Sequence, residues 1–555
     1  MRFAALLLAL ASALTLFVGL DRVGYLDQRE ARDACIAGEQ RLSSDPLTPH
    51  YDHQPFFDRP LLGLLPELLG HGHGSANPLP SRLIRAALAL ALVLLTWRIG
   101  AQQFGERAGL ASGLVLATCM GLPMAARADG AQLLASLAAW LALSVFARAV
   151  FSERREPFIP LALAHLSLGV ALLTGGPLPA LWPIAGVALY ARLAGRPKAL
   201  AAIRPLAALA IASGLALPWY ATMAMRHGAA FGARVMWMPY GQGNPGPWYA
   251  GIVFAVSFLV LGGFPWSALL PAAFAHAAMR WRAVRFASRV GQRPDSPFTP
   301  QDLELLAREE REERIAHFLI AGLVAALAPL AFYPSPPMSA ALPALPAIAL
   351  LCGRFVDHLF EDPARLQAPF ARATLMLGLT ATVTAVALSM AGTSINSLFP
   401  AIRWLAPFAL VSGWAPFLAH FFLRRPRWGA ALMAMPVLVG APLVSWRLLP
   451  ELEDFLSTRS VAEAMNVASP PDATLALLES APPTLRLYLE RRTLQVRAPE
   501  QALAMAISPD RRAYLAFRPA RERDAVRRLG EPIEVLSRSP SLVLVRASAD
   551  TTAIR

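Results

Sequence analysis

The residues best equipped for chemistry concentrate near the amino terminus. Arg29, Glu30, Arg32, Asp33 and Glu39 share a run in which Ala31, Ala34, Cys35, Gly38 and Leu42 recur at helical spacing. Residues 29–42 therefore read as an amphipathic helix lying on a bilayer. Its polar face has two readings. One is a solvated surface with Arg29 and Asp33 paired one turn apart; the other is a site handling an anionic, lipid-borne substrate. Beyond it His50, Asp52, His53 and Asp58 cluster, and His71 and His73 add two imidazoles. Such donors can ligate a divalent metal, the one cofactor the residues suggest, with His53 and Asp58 as its candidates. Their spacing fixes no geometry, and a polar, solvated loop is the default reading. Asp129 sits just outside an apolar run. An acid at that depth is costly unless paired, and Arg127 or Arg59 is the expected partner.

These groups hang on a chain built for a membrane. Of its 555 residues 55% are hydrophobic and only 16% charged, against about 25% charged in a typical soluble protein. All but one of its 51 basic residues are arginine, the exception being Lys198, and the net charge is +14. The arginines lie between apolar runs, so they speak for topology and not for nucleic acid. Runs long enough to span a bilayer recur near 3–20, 83–99, 108–125, 131–149, 158–174, 177–194, 205–224, 249–277, 316–333, 338–353, 372–392, 400–422 and 429–446. Those at 177–194 and 338–353 carry the faintest signal. The first reads as a retained anchor, since no small-residue cleavage site precedes Asp21.

Alternate short loops carry arginine, among them Arg98 and Arg107, Arg154 and Arg155, Arg280 to Arg293, and Arg424 to Arg427; 174–177 and 334–337 carry none. The basic set is expected in the cytoplasm, with the amino terminus. Thirteen spans then place the loop 21–82 and the tail 447–555 together on the outer side of the membrane. After Trp446 short β-rich runs (474–478, 513–517, 533–536 and 542–545) alternate with helical stretches near 460–467, 484–490 and 521–529. The expected fold is thus an all-α polytopic membrane domain over 1–446, including loop 21–82 with its juxtamembrane helices, followed by a small soluble α/β domain over 447–555. The tail has no glycine fingerprint for nucleotides and no nucleophile elbow. In the loop 278–315, residues 308–314 read as a solvated helix, and Cys119 and Cys352 as packing residues.

The stretch from Tyr25 to Leu62 resembles the first outer loop of the lipid-carrier-dependent glycosyltransferases of the GT-C superfamily, which include aminoarabinose transferases and relatives of protein mannosyltransferases. That loop reads approximately DE-x-R-Y-A, A-R-E-M, G-D-W-L-x-P and P-Y-F-D-K-P-P-L. Without a gap, Glu30, Arg32 and Ala34 match its first block and Glu39 its second; Asp45, Leu47 and Pro49 match the third, and Pro55, Phe57, Asp58, Pro60 and Leu62 the last. Arg127 to Asp129, Leu173 to Pro177, Leu217 to Tyr220, Phe264 to Ser267, Pro343 with Pro346, and Leu487, Tyr488 and Arg491 resemble later family elements in the same order. The resemblance implies thirteen spans with a periplasmic tail. It also implies a polyprenyl-phosphate-linked sugar as donor and a lipid, glycan or protein as acceptor.

The departures fall on the chemistry. The family acid thought to act as base on the acceptor corresponds to Arg29, and an arginine cannot accept a proton. Asp27 or Glu30 is the replacement expected, with Asp129 as a further catalytic candidate. Two family lysines correspond to Gly175 and Pro336, and the His and Arg of a later outer loop are missing from Val235 to Tyr240. Arg59 keeps the charge of a third lysine. The resemblance therefore assigns donor phosphate to Arg59, Arg32 and Arg127. Trp237, Tyr240, Trp248 and Tyr249 are expected as interfacial anchors. The alternative reading is a catalytically inactive relative that binds lipid phosphate or serves as a scaffold.

Overall fold

Lipid offers no hydrogen-bond partners, so long apolar runs must satisfy their backbone groups inside helices. The computed structural model describes all residues except Met1, Asp27, 71–75, 153–155, 236–246, Trp248, 293–296, 333–337, 391–398, Glu500, 502–511, 530–532 and 549–555. All thirteen apolar runs fall on helices. Among the described residues nine helices are long and apolar enough to cross a membrane. Two bent pairs, Glu106–Ala117 with Gly121–Ala128 and Ala250–Gly262 with Trp266–Gly291, raise the number to eleven. The other two fall short. Ala5–Phe17 spans barely three turns, and Pro177–Leu193 has 17 residues with Pro183 inside it. The chain is a multi-pass membrane protein with nine to eleven candidate spans, fewer than the thirteen expected.

The faint run at 338–353 belongs to the most enclosed helix. Ser339–Glu361 is wholly buried over its apolar window. Its opening prolines, Pro343 and Pro346, weaken the sequence signal, and neighbours repair the backbone: Trp140 Nε1–H donates to the Pro343 carbonyl at 2.8 Å. A Cβ on Gly353 would stand 2.5 Å from the backbone nitrogen of Ser112, so glycine allows the helix to lie directly against Glu106–Ala117.

The helix expected at 308–314 is present, with Arg308 and Arg311 exposed, and its solvated reading is corrected at Glu313. These residues lie within Pro300–Leu327, opened by a Thr299–Asp302 capping box. Glu313 is fully buried, accepting from Arg280 Nε at 2.9 Å and from Arg354. Periodicity exposed the charge but not the partners, which come from two other helices.

The tail forms a five-stranded sheet after β1 (His50–Tyr51) and β2 (Gln54–Pro55), a small hairpin in the first loop. The tail strands are β3 (Thr474–Leu477), β4 (Arg492–Gln495), β5 (Arg512–Phe517), β6 (Ile533–Arg538) and β7 (Val543–Ser548), in the order β4-β3-β5-β7-β6. β3 is parallel to β4 and β5, while β7 is antiparallel to β5 and β6. β4 was not expected; its alternation of polar and apolar residues is only four long. β3 and β5 are almost continuously apolar because both faces are covered. Val461, Met465 and Leu485 pack on one face and Ala525 on the other.

Candidate active site

The helix Gln28–Leu42 is enclosed along most of its length, and of its described residues Arg41 and Leu42 at its end are exposed. Its alanines 31 and 34, with Tyr25, pack against Leu487 and Tyr488 of the C-terminal domain. Two backbone bonds pin the approach to it: Gly24 N–H to Glu453 Oε1 at 3.1 Å, and Tyr25 N–H to Tyr488 Oη at 2.8 Å. The opposite side turns inward, leaving Glu30 and Asp33 each 2% exposed. This corrects the solvated-face reading, and Asp33 pairs with Arg59 at 2.7 Å.

Buried carboxylates must be paired, and here they form two clusters. In the first, Glu30 accepts from Arg82 Nε at 2.9 Å and Nη2 at 2.8 Å, and from Arg85. Arg82 also donates to the carbonyls of Leu20, Val23 and Gly24 at 2.7–2.9 Å, closing the chain end that leaves the first apolar helix. Burial pushes the Glu30 carboxyl up, but Arg85 and Arg82 outweigh it and hold the group below its usual range. Glu67 lies 3.4 Å from Arg85. Burial raises it to about 7, since Glu30 has the closer hold on that guanidinium and Asp33 repels.

In the second cluster Arg59 stands between Asp33 and Asp129. Its Nη1 and Nη2 reach the two Asp129 oxygens at 3.1 and 3.2 Å. Asp129 also accepts from Ser339 Oγ at 2.6 Å and caps the helix Gly130–Phe151 through Gln132 N–H at 3.2 Å. Of its two expected partners, Arg59 is the one observed. Arg127 instead donates to the carbonyls of Val18 and Pro123 and to Ser445 Oγ, at 2.9, 3.2 and 3.0 Å. Burial raises the Asp33 carboxyl despite Arg59 and Arg32.

Arg32 is placed differently. It is half-buried, its guanidinium 4.8 Å from the Phe56 ring centre, and its buried Nε has no hydrogen-bond partner among the described residues. Arg29 lies close enough for its charge to reach Asp129. Asp27 lies outside the described residues, as do His71, His73, Pro336, Trp237, Tyr240 and Trp248; Tyr249 is exposed.

The rest of the first loop is strapped to the end of the helix Pro205–Val235. Arg226 holds both Asp45 oxygens at 2.9 and 3.0 Å, His227 Nε2 lies 3.2 Å from Thr48 Oγ1, and Arg234 lies 2.8 Å from Asp58. Phe57 packs on His227 and Phe231. An Arg and a His, missing from Val235 to Tyr240 in the sequence, occur nine and eight residues before Val235 as Arg226 and His227, with Arg234 directly before it. Met-Arg-His-Gly at 225–228 was the signal, since Gly228 breaks the helix at φ 53°. Across the hairpin, Asp52 pairs with Arg486, and the backbone N–H groups of Asp52 and His53 donate to Glu39 at 2.8 and 3.1 Å. Among the described residues no three His, Cys, Asp or Glu side chains come together as a metal site. Asp58 is held by arginine, and His53 is exposed.

Gly175 stands in a packed seam. A Cβ there would lie 2.8 Å from Pro179 and 2.9 Å from Ala135, and one on Gly63 would lie 2.5 Å from the Thr174 carbonyl oxygen. The segment after Arg59 is thus pressed on the end of Phe158–Gly175. Gly175→Lys is expected to cost about 1–3 kcal/mol or more through overpacking. Its melting temperature in detergent should fall, and an unchanged value would mean the seam opens freely.

No protein-family model matches the chain. The undecaprenyl phosphate-alpha-4-amino-4-deoxy-L-arabinose arabinosyl transferase 2 of Pseudomonas fluorescens is 26% identical over 294 residues, 51% of this chain and 49% of that protein. The corresponding transferase of Pseudomonas aeruginosa is 28% identical over 282 residues, 49% of this chain and 50% of that protein. The matches therefore span about half the length of these curated relatives. Crystal structures of ArnT from Cupriavidus metallidurans superpose over 99% of both chains. The TM-score is 0.74 for the apo state, at 15% identity, and 0.71 for the state bound to undecaprenyl phosphate, at 17%.

Proposed function

We propose that this chain, which has the ArnT-like GT-C fold and is related in sequence to polyprenyl-phosphate sugar transferases, moves a sugar from a polyprenyl-phosphate donor to an acceptor. The acceptor is a lipid, glycan or protein on the outer face of a bacterial inner membrane. One observation carries this reading: acids and arginines far apart in sequence converge beneath the first loop, beside Arg32, whose buried Nε is unused. The leaving group is a lipid phosphate, and a pre-positioned cation stabilises the charge that develops on it. Arg32 is placed to do this directly. Arg59 would reach the phosphate by exchanging one of its two carboxylates, and Arg127 by releasing backbone carbonyls. A base needs a free oxygen, while Glu30 and Asp129 already accept from guanidinium groups. We therefore assign the proton to Asp27 first, with Glu30 and Asp129 as supports of the site.

A second reading, binding of lipid phosphate without turnover, is favoured by Arg29, which stands where the family has its acid. Mass spectrometry of envelope lipids and glycans separates the two. Deleting the gene should remove a species heavier by one sugar residue, and an unchanged envelope would overturn the transferase reading. Arg29→Asp, in folded protein supplied with donor, should raise transfer; no gain would favour binding alone.

A further inference from the structure

The C-terminal sheet carries a cavity that neither acid–arginine cluster uses. From β3 the chain passes to β4 on one side, and β5 later takes the place on the other, so strand order reverses at β3. In open parallel sheets, ligands bind outside the carboxyl ends of the strands at such a reversal. That position is open here: a cavity of about 770 Å³ lies beyond the ends of β3 and β5, within the usual range for small-ligand sites of roughly 300–1,000 Å³.

Its walls divide by chemistry. Leu456 and Phe455, from the helix Leu449–Leu456, face Phe517 and Leu542 of the sheet domain. The remaining wall is polar and uncharged on balance, with Ser480 and Ser541 beside Glu479, whose carboxylate Arg518 holds at 2.5 Å. Thr458 and Thr484 are buried at the lining and bond to each other through their hydroxyls at 2.9 Å. Leu26 completes the lining, one residue from Tyr25 and from the first-loop helix.

A lining that combines hydroxyls and a neutralised carboxylate with aromatic and aliphatic side chains matches a saccharide joined to an apolar tail. The polar groups would meet its hydroxyls and the apolar ones its ring faces and tail. We propose that this cavity binds the saccharide headgroup of an amphiphilic acceptor and presents it to the first loop at Leu26. The word acceptor rests on the proposed transferase function; the binding site does not.

The test uses the full chain in phospholipid nanodiscs and an alkyl maltoside with a photoreactive tail, below its micellar concentration. An alkyl phosphocholine with the same tail is the control. After irradiation and digestion, label from the maltoside tail should fall on the apolar lining at 455–456, 516–517 and 542, and label from the phosphocholine should not. Ser480→Trp, which fills the cavity, and Glu479→Gln, which removes a charged hydrogen-bond acceptor, should each lower maltoside label about tenfold or more at unchanged melting temperature. If Ser480→Trp does not fold, Ser541→Trp fills the same space from the β6–β7 side. Equal labelling by both probes, label confined to the spanning helices, or full labelling in a folded tryptophan variant would overturn the site. Maltoside binding without sugar transfer would sink the transferase reading alone, and transfer without such binding would sink this site alone.

Discussion

An Arg59→Ala chain is expected to lose about 3–5 kcal/mol of stability, the usual cost of removing one partner from a buried ion pair. The guanidinium lies within 3.2 Å of two carboxylates that have almost no access to water. Its removal leaves Asp33 and Asp129 facing each other, with Ser339 and Gln132 the remaining donors to Asp129. Loss of activity in this variant is therefore ambiguous by itself. Adding Asp33→Asn to Arg59→Ala resolves it, because removing one stranded charge should recover a large part of the lost stability. Thermal unfolding of the two single variants and the double variant gives the coupling. Additive losses would show that the cluster does not act as a unit. Arg59→Lys keeps the charge but cannot bridge both acids in the same plane, and should fall between wild type and alanine.

Glu30→Gln is the second variant with a large expected effect. A carboxylate accepts at every position, whereas a glutamine keeps one accepting oxygen and sets an NH2 in place of the other, donor against donor on the guanidinium it faces. It also removes the negative charge shared by Arg82 and Arg85. Both guanidinium groups are buried. Arg82 keeps its three backbone carbonyls, but Arg85, among the described residues, keeps one carboxylate, Glu67 at 3.4 Å. The expected loss is about 3 kcal/mol or more, seen as a lower melting temperature and reduced accumulation. The same variant separates support from chemistry. If Glu30 only positions the site, transfer per folded molecule should fall far less than the amount of folded protein. If the glutamine chain folds like wild type and yet transfers nothing, Glu30 is the proton acceptor and its assignment here is wrong.

The membrane class, the helical runs and most of the tail strands were legible because each is a local pattern. Hydropathy marks a helix wherever its neighbours lie, and β5, β6 and β7 are runs of apolar and β-branched residues bounded by turns. What periodicity misread was burial of charge. Residues 29–42 and 308–314 both look like solvated faces, yet Glu30, Asp33 and Glu313 are enclosed. Their partners come from elsewhere in the chain, Arg82 and Arg85 from the helix Leu79–Phe104, Arg59 from the loop before Leu61, and Arg280 and Arg354 from two further helices, at spacings that encode no pairing. Depth did betray Asp129: an acid next to a span requires a cation, and one of the two proposed was found. The strap formed by Arg226, His227 and Arg234 was missed for another reason. The family pattern points to 235–240, while the side chains that hold the first loop stand earlier, on either side of the break at Gly228.

The bonds that seat the C-terminal domain on the first loop join residues 429, 463 and 434 positions apart: Gly24 to Glu453, Tyr25 to Tyr488, and Arg486 to Asp52. Chains are made and inserted from the amino terminus onward, and contacts of such long range form slowly. During synthesis, the helix that carries Glu30 and Asp33 therefore waits, without its outer cover, until every span has entered the bilayer. The first loop is among the first segments made and the last to be covered. A chain that ends before residue 486 lacks Arg486 and Tyr488, and with them two of the bonds that cover this helix, so chain order alone decides when the first loop is complete.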